Sequence, residues 1–234
     1  MKPLSECRLY AFVDTAYLRG RAPELVAWQL CDGGADLIQL RAKEATVEEL
    51  WRLAERLLAV TERAGVGLVI NDHWGVAFEV GAPLCHLGQE DFFDRGYTHV
   101  SQLRPGAAGV VPRAPRRVPP VGFPLIGLST HAPSQAGHAI AAGAAYVAIG
   151  PVFTTPTKPL AKPVTLEYVR WAAAHVGVPW FAIGGINRDN LDEVLAAGAR
   201  RVCVVSAILN APDTVRACRE FKEHLVSVPC SSAN

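Results

Sequence analysis

A group of hydroxyl side chains and one ammonium group follows an apolar run in the second half of the chain. Residues 146–149 are typical of a buried strand, and the segment 154–158 beyond them holds Thr154, Thr155, Thr157 and Lys158. Hydroxyl and ammonium groups donate hydrogen bonds to anions, phosphate above all. The sequence therefore predicts an anion site beyond the carboxyl end of this strand.

Polar or glycine-rich segments also follow the other apolar runs. They lie at residues 39–43, 71–72, 86–91, 129–131, 184–185 and 206. A parallel barrel is the architecture that directs all the carboxyl ends of its strands toward one cavity. We therefore expect these segments to share one site.

The segment 39–43 carries two cations in an alternating pattern. Alternation along a strand places Gln39, Arg41 and Lys43 on one side of the strand end. An arginine fork and a lysine point charge there would bind phosphate groups. The alternative is that both cations are solvated in a loop.

Two carboxylates follow neighbouring strands. Asp72 comes directly after Asn71 at the end of the third run, and Asp91 follows the fourth run. Two carboxylates near an oligophosphate site suggest Mg²⁺, which prefers oxygen ligands and substrate phosphates. General acid–base catalysis and helix capping are the alternatives. No dense cluster of histidine or cysteine in the sequence favours zinc.

The seventh and eighth runs end in segments suited to a second anion. Gly184 and Gly185 allow the backbone to approach an anion closely, and Val205 and Ser206 follow the eighth run. The loops after these two strands form the common phosphate site of the barrel fold. We therefore expect two anionic places, one lined by Arg41, Lys43, Asn71, Ser129 and Lys158 and the other by Gly185 and Ser206. Two phosphate-bearing substrates, one with a metal-bound diphosphate, would suit such a cavity.

Three histidines lie near strand ends. His86 falls within an apolar run, where a histidine is more often a satisfied core residue than a catalytic one. His73 and His131 follow strand ends and are candidates for the lining of the site. Trp74 and Trp180 are candidates for a ligand platform, whereas the other tryptophans are interpreted as packing or surface residues.

Apolar runs alternate with helix-period segments from end to end. The runs cover residues 9–13, 37–40, 67–70, 84–87, 125–128, 146–149, 179–183 and 201–205. The predicted helices cover residues 23–30, 46–65, 133–142, 166–174, 188–197 and 212–225. Eight strands that alternate with helices predict a single-domain α/β fold, the (β/α)8 TIM barrel, over residues 1–234. Its core would run from about residue 8 to 226, with a flexible tail at 227–234.

One region breaks this rhythm. Residues 93–124 contain many prolines and arginines and no good helical pattern. The favoured interpretation is an insertion that forms a long solvated loop. The alternative is a basic flap over the site that helps to hold an anionic substrate.

Composition narrows the function classes. The chain has 234 residues, of which 50% are hydrophobic, and a formal net charge of +1, which gives no global reason to expect nucleic-acid or membrane binding. The amino terminus lacks the apolar segment of a signal peptide, so a cytoplasmic protein is expected. Six cysteines without paired spacing indicate no cysteine metal site, and Cys85 and Cys203 are interpreted as buried residues.

The motifs together resemble the thiamine-phosphate synthase (thiamin-phosphate pyrophosphorylase) family. The matching segments occur in order along most of the chain, at residues 39–44, 71–72, 86–91, 127–131, 150–158, 183–186 and 205–208. The resemblance implies a transferase that joins hydroxymethylpyrimidine diphosphate to thiazole phosphate. Its products would be thiamine phosphate and diphosphate.

The resemblance also implies a role for each matching residue. Asp72 and Asp91 would bind Mg²⁺, and Gln39 would contact the pyrimidine. The thiazole phosphate would be held by Thr155, Thr157, Gly185, Val205 and Ser206. Asn71 would help to hold the diphosphate. The other residues that bind it would also have catalytic roles, and they are Arg41, Lys43, Ser129 and Lys158.

The reaction of the family is dissociative, and it needs charge stabilisation on the departing diphosphate more than a protein base. The span between Asp91 and Ser129 is longer than the family pattern, and a glycine expected after Lys158 is absent. These departures concern loop closure and subunit contacts more than the reaction. Barrels of this kind often dimerise, so a homodimer is a further expectation.

Three alternatives stay open at this point. The first is a related thiazole tautomerase, which would not need the diphosphate and Mg²⁺ residues. The second is a non-catalytic homologue that binds phosphate ligands without turnover. The third is another phosphate-sugar or indole-type barrel enzyme, which would place an acid or a base at the centre of the cavity.

Overall fold

The computed structural model describes residues 1–103, 124–157 and 161–227. Eight parallel strands form a closed barrel in which each strand pairs with the next and the last pairs with the first. The predicted (β/α)8 barrel is therefore confirmed. The strands are β1 (Leu9–Asp14), β2 (Leu37–Arg41), β3 (Gly67–Asn71), β4 (Leu84–Leu87), β5 (Leu125–Thr130), β6 (Tyr146–Ile149), β7 (Trp180–Ile183) and β8 (Val202–Cys203).

Helices connect successive strands around the barrel. They are α1 (Pro23–Asp32), α2 (Val47–Arg63), α3 (Trp74–Val80), α4 (Gln89–Phe92), α5 (Pro133–Ala141), α6 (Thr165–His175), α7 (Leu191–Ala196), α8 (Ser206–Leu209) and α9 (Thr214–Ser227). In α2, Thr46 and Glu49 form the predicted capping box, in which each backbone N–H is bonded by the other residue's side chain. The apolar face of α2 packs Leu50 and Leu57 into the core.

Several boundaries differ from those predicted. The helices α3, α4 and α8 were not predicted, because at four to seven residues they span at most two turns and show little periodicity. The last two predicted helices begin later than expected, at Leu191 and Thr214. Strand β8 ends at Cys203 rather than residue 205, so Val205 and Ser206 lie beyond the strand.

The predicted insertion lies mainly outside the described residues. Its first part, residues 93–103, contains one short 3-10 turn at Val100–Gln102, and residues 104–123 are not described. The predicted tail lies outside them too, except for Ser227, which ends α9. Within the described ranges, no helix is long and apolar enough to cross a membrane.

Aromatic rings fill the centre of the barrel. The ring of Phe181 meets the rings of Tyr10 and Tyr146 edge-on, with centroids 5.4 and 5.6 Å away. The Tyr10 ring also stacks on Phe12, at 5.3 Å. A Cβ atom at Gly127 would lie 2.0 Å from the Tyr146 ring, so only glycine leaves room for this ring on β5. The packed centre forms the floor of a cavity above it.

Candidate active site

A cavity opens at the carboxyl ends of the strands, where this fold places its active sites. It contains about 850 Å³ of space free of protein atoms, including the part that opens to solvent. Nine of the residues predicted from the sequence line it: Gln39, Arg41, Asn71, Ser129, Thr155, Thr157, Gly185, Val205 and Ser206. The strand ends thus bring together segments that are up to 167 residues apart in the sequence, from Gln39 to Ser206.

The guanidinium of Arg41 is held by a carboxylate that was missed in the sequence. Asp14, at the end of β1, pairs with Arg41 in the strand register, and its Oδ2 lies 2.7 Å from Nη1 of Arg41. The Asp14 side chain is 1% exposed, and its Oδ1 accepts a hydrogen bond from the backbone of Ala16. Because the carboxylate is fixed, it orients the arginine at the wall of the cavity. The polar end of the first run was the signal that could have identified Asp14.

Asp72 and Asp91 come together beside the cavity rather than in its lining. Burial and the charge of Asp91 raise the pKa of Asp72 to about 6, against the opposing effects of the Lys43 charge and a hydrogen bond from Asn71. The Asn71 amide donates to Asp72 Oδ2 over 2.5 Å. Asp91 lies in α4, and Arg95, beyond the end of this helix, pairs with Asp91 Oδ1 over 3.2 Å. The pair is a local concentration of negative charge next to Asn71.

This carboxylate pair fits a divalent cation. A buried carboxylate that lies beside a second carboxylate is stabilised when a cation is bound between them. Among the described residues no group of three or more His, Cys, Asp or Glu side chains forms a metal cage. Mg²⁺ is often held by one or two carboxylates together with substrate phosphates, so the donors present suit Mg²⁺ bound with its substrate.

The opposite wall consists of two loops fastened to each other. The backbone N–H groups of Val152 and Phe153 donate to the carbonyls of Ile183 and Gly184 over 2.8 and 3.0 Å. A Cβ atom at Gly185 would lie 2.5 Å from the carbonyl oxygen of Thr154, so this close approach requires glycine. The φ angle of Gly185 is also positive, at +66°.

Hydroxyl groups line the same wall. Thr155 and Thr157 face the cavity, and the Oγ1 of Thr155 accepts a hydrogen bond from the backbone N–H of Thr157. The hydroxyl of Tyr17, another residue missed in the sequence, lies 3.1 Å from the Thr157 hydroxyl. Ser206 is the first residue of α8 and lies in the lining with Val205. The second predicted anion-binding site is thus surrounded by threonine and serine hydroxyls and by glycine backbone.

A buried chain of hydrogen bonds runs under the cavity from β2 to β5. Gln39 Nε2 donates to the Tyr10 hydroxyl over 2.6 Å, and the hydroxyls of Tyr10 and Tyr146 are 3.2 Å apart. The Tyr146 hydroxyl lies 3.1 Å from Nδ1 of His86, whose Nε2 lies 2.9 Å from Ser129 Oγ. His86 is therefore a satisfied, buried histidine, as predicted, but its partners include a cavity residue. Burial raises the pKa of both tyrosines well above the ordinary range, so both hydroxyls stay neutral.

The structure does not place every candidate in the cavity lining. Lys43 is exposed and acts on Asp72 through its charge. His73 precedes α3, and His131 lines a neighbouring groove, where its Nδ1 contacts the Gly150 carbonyl; the expectation that they line the site is wrong for the cavity described here. Trp74 and Trp180 are buried outside the lining, so neither is a ligand platform there. Lys158 lies outside the described residues.

Comparison with known proteins identifies relatives over most of the chain. The thiamine monophosphate synthase family model matches residues 9–101 and 119–208. A thiamine-phosphate synthase of Thermus thermophilus is 44% identical over 84% of this chain and 85% of its own. One from Chloroflexus aurantiacus is 38% identical over 94% of this chain and 93% of its own.

A solved structure agrees with these relatives. The thiamine phosphate pyrophosphorylase of Pyrococcus furiosus superposes with a TM-score of 0.77 and is 28% identical. The superposition covers 95% of this chain and 97% of that one. With a family match to more than half of its residues and relatives above 30% identity, this chain belongs to the thiamine monophosphate synthase family.

Proposed function

We propose that this protein is a thiamine-phosphate synthase, a transferase that joins hydroxymethylpyrimidine diphosphate to thiazole phosphate with release of diphosphate. The observation that carries the proposal is a cavity that has a carboxylate pair beside the Arg41 and Asn71 wall and hydroxyl groups and glycine backbone on the other wall. Such a cavity suits two phosphate-bearing substrates. Family membership supports the same reaction.

The diphosphate would lie at the wall formed by β2, β3 and β5. Arg41, oriented by Asp14, supplies a fork of donors, and Asn71 and Ser129 supply neutral donors beside it. Lys43, at the rim, adds positive charge near Asp72. Resemblance to the family adds Lys158 to this set, as a further cation on the leaving group.

Mg²⁺ would be held by Asp72 and Asp91 together with the diphosphate oxygens. The cation would neutralise the charge that develops on the departing diphosphate. The carboxylates would then serve as ligands rather than as an acid and a base, because both would bind the same ion.

The thiazole phosphate would occupy the opposite wall. Thr155 and Thr157 present hydroxyls, and the backbone at Gly185, Val205 and Ser206 comes close enough to bind an anion. Gln39 lies on the floor between the two walls, where its amide would contact the pyrimidine ring. This arrangement would bring the thiazole nitrogen toward the carbon that loses diphosphate.

The residues suit a dissociative substitution. The bond from the pyrimidine methylene carbon to the diphosphate oxygen breaks first, and the electron pair leaves with the diphosphate. The thiazole nitrogen then donates its own pair to the resulting pyrimidine-methyl cation. The cations at one wall stabilise the leaving group, and no side chain is required to remove a proton at this step.

The test is product formation by the purified protein. With both substrates and Mg²⁺, chromatography should show thiamine phosphate, and addition of EDTA should stop its formation until Mg²⁺ is restored. Folded protein that forms no thiamine phosphate would contradict the proposal. In that case, conversion of the thiazole between its tautomers would identify the related isomerase activity.

A further inference from the structure

We propose that the buried chain from Gln39 to Ser129 is a directional relay that makes ligand binding at its two ends cooperative. The inference deepens the proposed function and rests on it in one respect, the placement of an amine-bearing ring at Gln39 and of an anion at Ser129. Tyr10, Tyr146 and His86 are then positioning residues, because they set which atoms the two ends present to the cavity.

The relay follows from a count of protons. Four hydrogen bonds join the five groups, at 2.6, 3.2, 3.1 and 2.9 Å. Each hydroxyl has one proton to donate, and a neutral imidazole carries one N–H. The five groups thus hold more protons than the four links need. If the links converge on a tyrosine, the proton of that buried hydroxyl is left unpaired, at a cost in free energy. If all links point the same way, the unused proton lies at Ser129 or on the Gln39 amide, where it can reach the cavity.

Two directions satisfy all four links without leaving a buried hydroxyl proton unpaired. In the first, the Gln39 amide N–H donates to Tyr10, and Tyr10, Tyr146 and His86 Nε2–H each donate to the next group. The Ser129 proton is then left to donate into the cavity, and Gln39 presents its Oε1 there. In the second direction the amide is rotated, Ser129 donates to His86, and Gln39 presents its amide N–H groups instead.

Packing prevents the groups from leaving the chain independently. The rings of His86 and Tyr146 stack with centroids 5.6 Å apart, and Phe181 packs edge-on against both tyrosine rings. Tyr10 is 1% exposed and Tyr146 is fully buried. Because buried donors and acceptors must be paired, breaking one link leaves a polar group unsatisfied. The chain therefore changes direction as a unit.

The proposed ligand selects the first direction at both ends. A phosphate oxygen at Ser129 is an acceptor and requires the serine proton. An amino group on the pyrimidine is a donor and requires the oxygen of the Gln39 amide. Binding at either end thus fixes the direction that the other end needs, which is the thermodynamic meaning of positive coupling.

The first experiment measures this coupling with the two halves of the ligand. Calorimetry gives the affinity for 4-amino-5-hydroxymethyl-2-methylpyrimidine with and without inorganic diphosphate and Mg²⁺. We expect diphosphate to tighten binding of the pyrimidine about fivefold or more in the wild type. The coupling should fall to less than about twofold in Tyr146→Phe, which removes the central hydroxyl and alters neither end.

Tyr168→Phe is the matched control. The Tyr168 hydroxyl lies 2.8 Å from both Thr130 Oγ1 and the Ala132 carbonyl oxygen, outside the chain. Its removal should leave the coupling unchanged. Equal coupling between pyrimidine and diphosphate binding in the wild type and in Tyr146→Phe would overturn the relay. Wild-type protein that binds the two ligands without mutual effect, or does not bind them, would overturn it too.

A second experiment reads the direction of the chain in the wild-type protein and does not depend on turnover. The ¹⁵N resonances of His86 are assigned by their absence in His86→Asn. In wild-type protein saturated with diphosphate and Mg²⁺, Nε2 should carry the proton and Nδ1 should not. A protonated Nδ1 in this state would overturn the relay even if thiamine phosphate is formed. The predicted state in a protein without turnover would support the relay and contradict the proposed function alone.

Discussion

The ionised form of Asp72 destabilises the metal-free fold, although the proposed function needs this carboxylate to bind Mg²⁺. Its pKa in the metal-free fold is about 6, compared with an ordinary value of 3.8, because burial and Asp91 disfavour its charge. The folded protein therefore holds this proton more tightly than the unfolded chain does. The stability that this group contributes is present at low pH and is lost as the pH rises from 3.8 through about 6. At neutral pH the ionised pair is a cost that Mg²⁺ would offset.

Replacement of Asp72 tests this conflict directly. Asp72→Asn should raise the free energy of unfolding of metal-free protein at pH 7 by about 1–2 kcal/mol, because one pKa unit corresponds to about 1.4 kcal/mol. Asparagine also tolerates the positive φ of 61° at this position. The measurement is urea denaturation with EDTA and with Mg²⁺ plus diphosphate, which should stabilise the wild type but not the variant. Glu90→Gln, an exposed neighbour in α4, should change neither value; a destabilised Asp72→Asn would contradict the account.

Asp14 tests whether the orientation of Arg41 matters. Asp14→Asn removes the charge that faces Nη1 of Arg41, so we expect a loss of about 3 kcal/mol in the free energy of unfolding. The KM for the pyrimidine diphosphate should rise about tenfold, since the guanidinium is no longer held. The control is Asp32→Asn, which breaks an exposed pair with Arg219 at 3.4 Å and should cost less than about 1 kcal/mol. An unchanged KM in Asp14→Asn would show that Arg41 does not depend on this partner.

The sequence predicts some site residues far better than others. Gln39 lies within an apolar run, and Arg41, Asn71 and Ser129 each follow one, so their types and their places near strand ends were sufficient to predict that they line the cavity. Tyr10, Asp14 and Tyr146 act through partners on other strands. Such pairs depend on register across the barrel, which spacing along the chain does not contain.

Between β5 and β6, the absence of a side chain at Gly127 leaves the space that the Tyr146 ring occupies. Gly127 on β5 lies opposite Tyr146 on β6 in the strand register, and the tyrosine ring occupies the space that a Cβ would fill. The glycine thus has a packing reason rather than a conformational one. The Tyr146 hydroxyl reaches Tyr10 and His86 because this space exists.

Gly127→Ala should therefore destabilise the barrel and displace the Tyr146 ring. We expect a loss of about 1–3 kcal/mol from overpacking. Gly137→Ala is the matched control, because this exposed residue of α5 has open space at its Cβ; the helix should gain about 0.5–1 kcal/mol there. Thermal unfolding measures both variants. A Gly127→Ala protein as stable as the wild type would show that the ring moves without cost.

Among the strands and helices, those with strongly buried faces could be predicted from the sequence. The strands are covered on both faces, so they are continuous apolar runs and all eight were identified. The long amphipathic helix α2 was identified from its period and its capping box. The one- and two-turn helices α3, α4 and α8 depend on tertiary contacts more than on their own pattern, so the sequence contains little signal for them.

In the molecule as a whole, the two ends of the barrel have different roles. The carboxyl ends carry the cavity, whereas Asp36 at the amino end fastens remote parts of the chain. Its carboxylate accepts from the ammonium groups of Lys2 and Lys222 over 2.6 and 2.5 Å, and from the backbone of Arg8 and Leu9. Burial alone would raise the pKa of Asp36, but these hydrogen bonds lower it below its ordinary value of 3.8.

The expected homodimer stays a prediction.

Asp36→Asn should lower stability without impairing the site. The expected loss is about 3 kcal/mol at neutral pH, because two ammonium groups lose their partner. This difference should be complete above pH 3.8 and shrink as the pH falls through the lowered pKa of Asp36. Denaturation across this pH range measures it, and KM values well below the melting temperature should equal those of the wild type. A difference that persists unchanged well below this range would contradict the ionic explanation.

The most direct test of the central claim follows both phosphorus-containing products in one sample. The wild-type protein is mixed with hydroxymethylpyrimidine diphosphate, thiazole phosphate and Mg²⁺, and ³¹P NMR is recorded over time. We predict that free diphosphate and thiamine phosphate appear together in equal amounts, and that both are absent when EDTA is present. Spectra of folded protein that show no thiamine phosphate, or equal product with and without EDTA, would contradict it.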